Sequence, residues 1–353
     1  MRKYTVIWQS RIPHERDWIE EILAPYISGH VTDGKHRVVL DNAILMDAFI
    51  QCHDPAYYAQ FRGRNAFLVH FLDETYEGGY ERYNNFRGVF RCFWSNTFDT
   101  NWVMKMPLGY CSGMARGGRP IQRASARKYL WSFVGEVNKS SRPDMAKALA
   151  AAGPHFLRAT DRPSGIAAQG PLDGNQQPLS PAEFSALLFD SAFSPCPMGN
   201  VNLECFRVYE ALESGSIPIV ERRWSLDYFR DLLGDHPLPT VRSWPEAQRM
   251  LRRMVENPAQ MDALQHRCVE WWERYKQEYS AQAGEFLRVR SADTREWASS
   301  PISFAQKLPG WNALELTRHH DLAALFRRAN RQFSRLLRQG KLRATYRPGI
   351  KLD

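Results

Sequence analysis

The chain has 353 residues, which at roughly 100–200 residues per domain predicts two domains or at most three. Apolar residues make up 44% and charged residues 24%, which excludes a disordered, a collagen-like and a disulfide-stapled chain. The 47 basic residues exceed the 38 acidic ones by nine, and the segment from Leu322 to Leu352 alone carries nine bases and no acid. The basic excess is therefore concentrated at the C-terminal end.

No apolar run reaches the roughly 18 residues of a membrane span, and the apolar stretch after Met1 is too short for the core of a signal peptide. The six cysteines form no C-x-x-C pair and stand at no metal-ligand spacing from a histidine, so we expect neither a zinc site nor a disulfide framework. These features predict a cytoplasmic protein.

In the first third of the chain, short apolar runs alternate with helix-length segments. The predicted elements are a strand at Tyr4–Trp8, a helix at Asp17–Leu23, and strands at Arg37–Leu40, Phe67–Leu72 and Val89–Trp94. Strands separated in this way predict βαβ units, and hence a parallel sheet covered on both faces.

A second series of the same kind follows. Its predicted elements are a strand at Tyr129–Gly135, a helix from Arg142, a strand at His155–Arg158, a polar loop at Asp161–Pro178, a helix capped by Ser180 and Glu183, a strand at Leu187–Ser194, a helix ending near Gly215, and a strand at Ile217–Val220. Ser243 and Glu246 repeat the capping pattern. Because Gly117–Pro120 breaks regular structure, we predict an N-terminal domain at 1–120, a second domain at 121–300 and a C-terminal segment at 301–353.

Apolar residues from Leu322 onward stand at helical spacing with arginines opposite, which predicts a basic amphipathic helix. Three interpretations are open: packing back on the first domain, peripheral contact with the inner membrane surface, or nucleic-acid binding without enzymatic activity. The charge is concentrated in one amphipathic helix and no recognised nucleic-acid module appears, which disfavours nucleic acid as a partner.

The run from Phe193 to Val220 carries the clearest chemical signal. A strand enters a Pro/Gly loop, with Pro197, Gly199 and Asn200, and the loop feeds a helix whose free N–H groups attract an anion. Arg207 and Glu210 share one helical face. The Arg207 guanidinium suits a diphosphate, and the Glu210 carboxylate suits the hydroxyls of a ribose. The alternative is a surface ladder of ion pairs that also includes Glu204.

The pattern Arg207-x-x-Glu210-Ala-Leu-x-x-Gly215-x-Ile-Pro-Ile resembles the nucleotide-sugar segment of exostosin-like glycosyltransferases. Upstream, the runs Val69–Tyr76, Val89–Trp94, Met106–Gly109 and Trp131–Gly135 are similar in order to the ribitol xylosyltransferase branch of that family. The resemblance covers about residues 67–220. One departure is that Cys196 and Met198 interrupt the more usual Pro-Arg-Gly loop, which removes a basic phosphate contact.

The resemblance implies a GT-B fold, an α/β architecture of two Rossmann-like domains facing a cleft. It also implies that a sugar is transferred, with inversion, from a nucleotide sugar to a hydroxyl of a glycan or a polyol-phosphate polymer. The expected nucleotide sugar is UDP-linked, and UDP-xylose is one candidate. Neither a cofactor nor an obligatory metal is expected, because the leaving diphosphate is stabilised by basic side chains and helix dipoles.

Lys139 and Arg142 follow a predicted strand and are candidates for the missing phosphate contact; a solvated basic loop is the alternative. Asp73 and Glu74 end a strongly apolar strand, where a carboxylate suits the role of general base toward the acceptor hydroxyl. An ion pair with a nearby arginine is the alternative for either acid, and Glu136 is the reserve candidate.

Two further features favour structural roles. His70 lies within an apolar strand and is predicted to be a buried, hydrogen-bonded histidine. Tyr76, Tyr80, Tyr83 and Phe86 stand at helical spacing and are predicted to pack in the core rather than stack on a sugar.

Overall fold

A computed structural model describes residues 3–9, 14–160, 178–223, 226–293 and 311–319. The strands are β1 (Tyr4–Trp8), β2 (Ile27–Thr32), β3 (Ala43–Asp47), β4 (Ala66–His70), β5 (Gly88–Arg91), β6 (Val103–Lys105), β7 (Tyr129–Gly135), β8 (His155–Ala159), β9 (Ser191–Cys196), β10 (Ile217–Glu221) and β11 (Thr240–Val241). The α-helices are α1 (Arg16–Leu23), α2 (Pro55–Ala59), α3 (Arg142–Leu149), α4 (Pro181–Phe189), α5 (Phe206–Glu213), α6 (Tyr228–Leu233), α7 (Trp244–Glu256), α8 (Pro258–Ala292) and α9 (Trp311–Arg318).

Two parallel sheets organise the chain. The first has the order β2-β1-β3-β4-β5-β6 and the second the order β11-β10-β9-β7-β8. Strands β3 and β4 are buried at every position, because helices or loops cover both faces of a parallel sheet. The predicted fold class, α/β with two Rossmann-like domains in the GT-B manner, is therefore confirmed.

Two strand predictions are wrong. Arg37–Leu40 is not a strand, because the Asp33 carboxylate accepts hydrogen bonds from the backbone N–H groups of Arg37 and Val38 and folds this stretch into a turn. Strands β2 and β3, which precede and follow this turn and both pair with β1, were missed. The strand predicted to start at Leu187 starts instead at Ser191, because α4 continues through Phe189.

The sequence predicts a capping box at the starts of both α4 and α7, and the structure has it at α4 only. The capping box at Ser180 is confirmed, since its hydroxyl accepts from the Glu183 N–H and the Glu183 carboxylate accepts from the Ser180 N–H. At α7, Ser243 makes no side-chain capping bond, and Glu246 accepts instead from the backbone N–H of Arg242 at 2.9 Å. The repeated capping box is therefore wrong.

The 35-residue helix α8 joins the two domains. Its Trp272 ring stacks on Trp18 of α1 at 5.6 Å between centroids, and Gly284 leaves room for the Tyr26 ring, which a Cβ would meet at 2.2 Å. Close packing of α8 on the first domain thus holds both sheets in one arrangement. In the described part of the chain, no helix combines the length and the apolar composition that crossing a bilayer requires.

The described C-terminal residues contact both domains. His319, fully buried, accepts a hydrogen bond at Nδ1 from the Leu203 N–H, and its Nε2 lies 3.5 Å from the Tyr76 hydroxyl. The predicted basic helix from Leu322 and the part of the polar loop at residues 161–177 lie outside the described residues.

Candidate active site

The loop after β9 is held by a carboxylate from the other domain. Glu74 Oε1 accepts hydrogen bonds from the backbone N–H groups of Asn200, Val201 and Asn202 at 2.9, 2.9 and 3.0 Å, and Oε2 accepts from the Asn200 side chain at 3.1 Å. Gly199 permits this approach, because a Cβ there would lie 2.9 Å from Glu74 Oε1. Three convergent N–H groups form an anion-binding nest, and Glu74 occupies it.

The basic side chains expected near this loop do reach it. Lys139 Nζ donates to the Asn200 side-chain oxygen at 2.6 Å and pairs with the Glu136 carboxylate at 2.7 Å. Arg142 Nε donates to the Met198 carbonyl at 3.3 Å, while its NH1 donates to the Glu136 carbonyl. The structure therefore brings Lys139 and Arg142 against the loop that carries Pro197, Gly199 and Asn200.

Arg207 and Glu210, on α5, line a cavity of 230 Å³ at the carboxyl end of β7. The remaining lining residues come from the segment before β7, from the ends of β7 and β8 and from the start of α4: Cys111, Met114, Val134, Gly135, Thr160, Pro178, Leu179, Pro181 and Phe184. Both predicted donor residues of α5 thus face one shared space, where the ligands of parallel α/β sheets bind.

Two guanidinium groups lie over the ring of Phe133. Arg207 lies 4.3 Å and Arg142 5.8 Å from its centroid. Burial, then the charge of Arg207, lowers the pKa of Arg142. Arg207 NH2 donates to the Val134 carbonyl at 2.7 Å, whereas its buried Nε has no hydrogen-bond partner. Two like charges and an unused donor at one sheet edge indicate an anion site.

The carboxylate of Glu210 is buried, and its pKa is raised by that burial, although the charge of Arg207 and hydrogen bonds from Cys111 act in the opposite direction. The thiol of Cys205, which begins α5, has a pKa lowered to about 7 by a hydrogen bond from Cys196 and by the charges of Arg207 and Arg142. Both shifts report a desolvated, positively charged site.

The alternative surface ladder is wrong. Glu204 is buried, accepts from the hydroxyls of Tyr209 and Tyr228 at 2.6 Å each and from the Leu108 N–H at 2.8 Å, and forms no ion pair with Arg207 in the described structure. Burial raises its pKa in spite of these hydrogen bonds. Glu204 therefore joins the two domains beneath the site.

Asp73 lies away from this space. Its carboxylate forms a fully buried ion pair with Arg91 at 2.8 Å and accepts from the Tyr80 hydroxyl at 3.0 Å. His70 is fully buried, with Nδ1 2.7 Å from the Tyr83 hydroxyl and 2.8 Å from Arg91 NH1, as predicted. The core positions predicted for Tyr76, Tyr80, Tyr83 and Phe86 are confirmed.

The sequence reasoning missed Phe133, Gly135 and Cys111. Gly135 has φ +151°, and a Cβ there would lie 3.2 Å from Arg207 NH2, so this glycine lets the guanidinium reach the end of β7. A larger cavity of 590 Å³, with Lys105 and Tyr275 in its wall, contains none of the predicted site residues.

Comparison with known proteins supports the resemblance described above. Residues 118–290 match the family of the RXYLT1 C-terminal domain. The chain is 25% identical over 208 residues to mouse (Mus musculus) ribitol-5-phosphate xylosyltransferase 1 and 31% identical over 135 residues to the human (Homo sapiens) protein of that name. These matches cover 52% and 36% of this chain but 44% and 28% of those proteins, so the chain spans less than half the length of either relative.

Among solved structures, an alpha1,3-fucosyltransferase is similar over 85% of this chain and 93% of its own, with a TM-score of 0.49 and 11% identity. The sequence matches, not this structure, confirm the resemblance to the ribitol xylosyltransferase branch.

Proposed function

We propose that this protein, whose residues 118–290 match the family of the RXYLT1 C-terminal domain, is a glycosyltransferase that uses a nucleotide diphosphate sugar. One observation carries the proposal: Arg207 and Glu210 line a single cavity at the carboxyl edge of the second sheet. A guanidinium and a carboxylate so placed match a diphosphate and a ribose diol, respectively.

In this proposal the diphosphate binds between Arg207 and Arg142. Positive charge comes from the two guanidiniums over Phe133 and from the start of α5. Arg207 Nε has no hydrogen-bond partner, and in the described structure Arg207 forms no ion pair with a carboxylate of the second domain. Lys139, which donates to the Asn200 side chain, adds charge at that loop. Donors fixed in advance around a developing negative charge contribute typically ~3 kcal/mol each to lowering the barrier.

The finer assignment is a UDP-sugar donor, with xylose as the sugar and a glycan or polyol-phosphate polymer as the acceptor. Its support is the name of the mouse and human relatives, ribitol-5-phosphate xylosyltransferase 1.

We assign direct displacement with inversion, and Glu74 as the base. Its Oε1 is occupied by three N–H groups, but Oε2 accepts one hydrogen bond and the residue is half-buried at the junction of the domains. Oε2 would take the proton of the acceptor hydroxyl while the acceptor oxygen displaces the nucleoside diphosphate. Asp73 is not assigned this role, because its buried pair with Arg91 keeps it from an acceptor.

Calorimetric titration of the full chain with UDP, UDP-xylose, GDP and ADP tests the donor site. We expect UDP compounds to bind and Arg207→Ala to weaken binding about 10- to 100-fold, the range of one hydrogen bond to a charged group. Arg288→Ala, which removes an exposed arginine of α8, is the control and should bind as the wild type. Salt-sensitive binding of nucleic acid without any binding of UDP would refute the proposal.

A further inference from the structure

A second cluster of chemically active side chains lies in the first domain, outside residues 118–290. Asp47 ends β3, His36 lies in the turn between β2 and β3, and His53 follows a single 3-10 turn at Ile50–Cys52. His36 Nε2 is 2.9 Å from Asp47 Oδ2, and His53 Nε2 is 3.8 Å from Asp47 Oδ1. The three ligand atoms all lie within 4.8 Å of one another.

The surrounding residues hold this cluster in place. The Asp47 carboxylate is 2% exposed, and its Oδ2 accepts from the Tyr58 hydroxyl at 2.7 Å. Gln9, which follows β1, accepts from the His36 N–H, and the Arg82 guanidinium donates to the His53 carbonyl at 3.1 Å. His36 also adopts φ +53°, a conformation that most side chains avoid and that the turn imposes.

The position in the sheet is that of a ligand site. In the order β2-β1-β3-β4-β5-β6, β2 is added on one side of β1, whereas β3 and all later strands are added on the opposite side. The direction of winding therefore reverses between β1 and β3, which is the topological switch point. Open parallel sheets bind ligands in the crevice outside the carboxyl ends of the strands at this switch. Gln9 and Asp47 mark those two ends, and the His36 and His53 side chains are 18% and 35% exposed.

We propose that His36, Asp47 and His53 bind one divalent transition-metal ion of the Zn²⁺ type. Two imidazoles and one carboxylate are a ligand set that such ions favour over Mg²⁺ or Ca²⁺. Ligand atoms around a tetrahedral Zn²⁺ stand roughly 3.3–3.6 Å apart, given metal–ligand bonds of about 2.0–2.2 Å. The observed separations of 2.9 and 3.8 Å lie on either side of this range, so small side-chain rotations would reach it. Three protein ligands leave a coordination position open toward the crevice for water or for an oxygen of a bound molecule.

This ion would be separate from the diphosphate of the proposed donor site. That site lies at the carboxyl edge of the second sheet, where Arg207 and Glu210 line the cavity and Arg142 shares the Phe133 ring with Arg207, whereas all three proposed metal ligands belong to the first sheet and its loops. The inference therefore does not rest on the proposed transferase function, and the sequence expectation that transfer needs no obligatory metal is a separate question.

The test is metal binding by the full chain after chelator treatment, without donor or acceptor. We expect one equivalent of Zn²⁺ by competition with a chromophoric chelator, and one equivalent of Co²⁺ with visible absorption bands. His53→Gln should weaken binding at least about 100-fold, since loss of even an outer-shell partner costs about 10–100-fold. Tyr58→Phe, which removes only the hydroxyl on Asp47, should weaken it about 10- to 100-fold.

His266→Gln is the matched control. His266 and Glu270 form an exposed pair on α8 at 3.1 Å, and no third ligand joins them among the residues that the structure describes, so this variant should keep wild-type stoichiometry and affinity. Circular dichroism confirms that each variant is folded. Binding of less than a stoichiometric amount of metal, or equal affinity in wild type and His53→Gln, would show that the cluster is only a hydrogen-bonded His–Asp–His group and would overturn the proposal.

Discussion

The Glu74 carboxylate and the Asn200 backbone lie in different domains and are joined by a hydrogen bond of 2.9 Å. The amide groups expected to receive a diphosphate therefore hold a carboxylate of the protein, and the phosphate contacts of the proposed donor site come instead from Arg207 and Arg142, which both lie over the ring of Phe133. This division of roles leads to four predictions.

The first concerns Glu74. Glu74→Gln retains an oxygen acceptor but loses the charge, so we expect a transfer rate at least ~100-fold lower, the lower range for loss of a general base. The loss of folding stability should be only about 1–3 kcal/mol, as charge-assisted hydrogen bonds weaken. Sugar transfer and urea unfolding are both measured, with Glu77→Gln, an exposed change three residues away, as the control. Normal turnover in Glu74→Gln would leave the residue as a link between domains only.

The second concerns Asp73. Asp73→Asn leaves the buried Arg91 charge without its partner, which should cost roughly 3–5 kcal/mol in the free energy of unfolding. Glu81→Gln removes an ion pair of similar length to Arg82, but Glu81 is 65% exposed, and we expect a loss of about 1 kcal/mol or less. Chemical denaturation measures both. If the two variants lost equal stability, the structural role of Asp73 would be contradicted.

The third concerns pH. Burial raises the pKa of Glu210 above its ordinary 4.5, so the ionised form that accepts ribose hydrogen bonds is lost at a higher pH than for an exposed glutamate. We expect UDP affinity to fall as the pH is lowered toward and through that raised pKa. Glu210→Gln should bind UDP more weakly and lose this pH dependence, while the exposed change Glu256→Gln on α7 should alter neither.

The same shift predicts the sign of a stability effect. Because the pKa of Glu210 is higher in the folded than in the unfolded chain, its favourable contribution is complete below pH 4.5 and is lost as the pH rises through the folded value. Glu210→Gln removes the buried charge and should therefore stabilise the unliganded protein at pH 7 relative to the wild type. A destabilised variant at pH 7 would contradict this account.

The fourth concerns Gly135. Gly135→Ala strains a backbone at φ +151° and places a Cβ 3.2 Å from Arg207 NH2, so both stability and UDP affinity should fall. Gly153 provides the control, since its φ is +150° but its Cβ would meet Leu130. Gly153→Ala should lose stability and keep its UDP affinity. Calorimetry measures the UDP affinity and thermal unfolding measures the stability. Equal UDP affinities of Gly135→Ala and Gly153→Ala would argue against Arg207 as a ligand contact.

Local chemistry in the sequence was enough to predict much of the fold. β1 and β7 have the predicted bounds, and α4 starts at the predicted capping box. The Arg207–Glu210 spacing indicated a shared helical face, and both residues do line one cavity. These predictions depend on hydrophobic periodicity and on contacts within a few residues, which a sequence displays directly.

Other features needed the tertiary structure. Strands β2 and β3 were missed because they are defined by their pairing on the two sides of β1, and the partners of Glu74 lie more than a hundred residues away along the chain. The cluster of His36, Asp47 and His53 gave no recognisable spacing, since its members meet only when the end of β3 is placed beside the end of β1. Sheet pairing is non-local, so the sequence by itself determined many of the helices and apolar strands and which face of α5 is polar, while the order of the strands decided which side chains share a site.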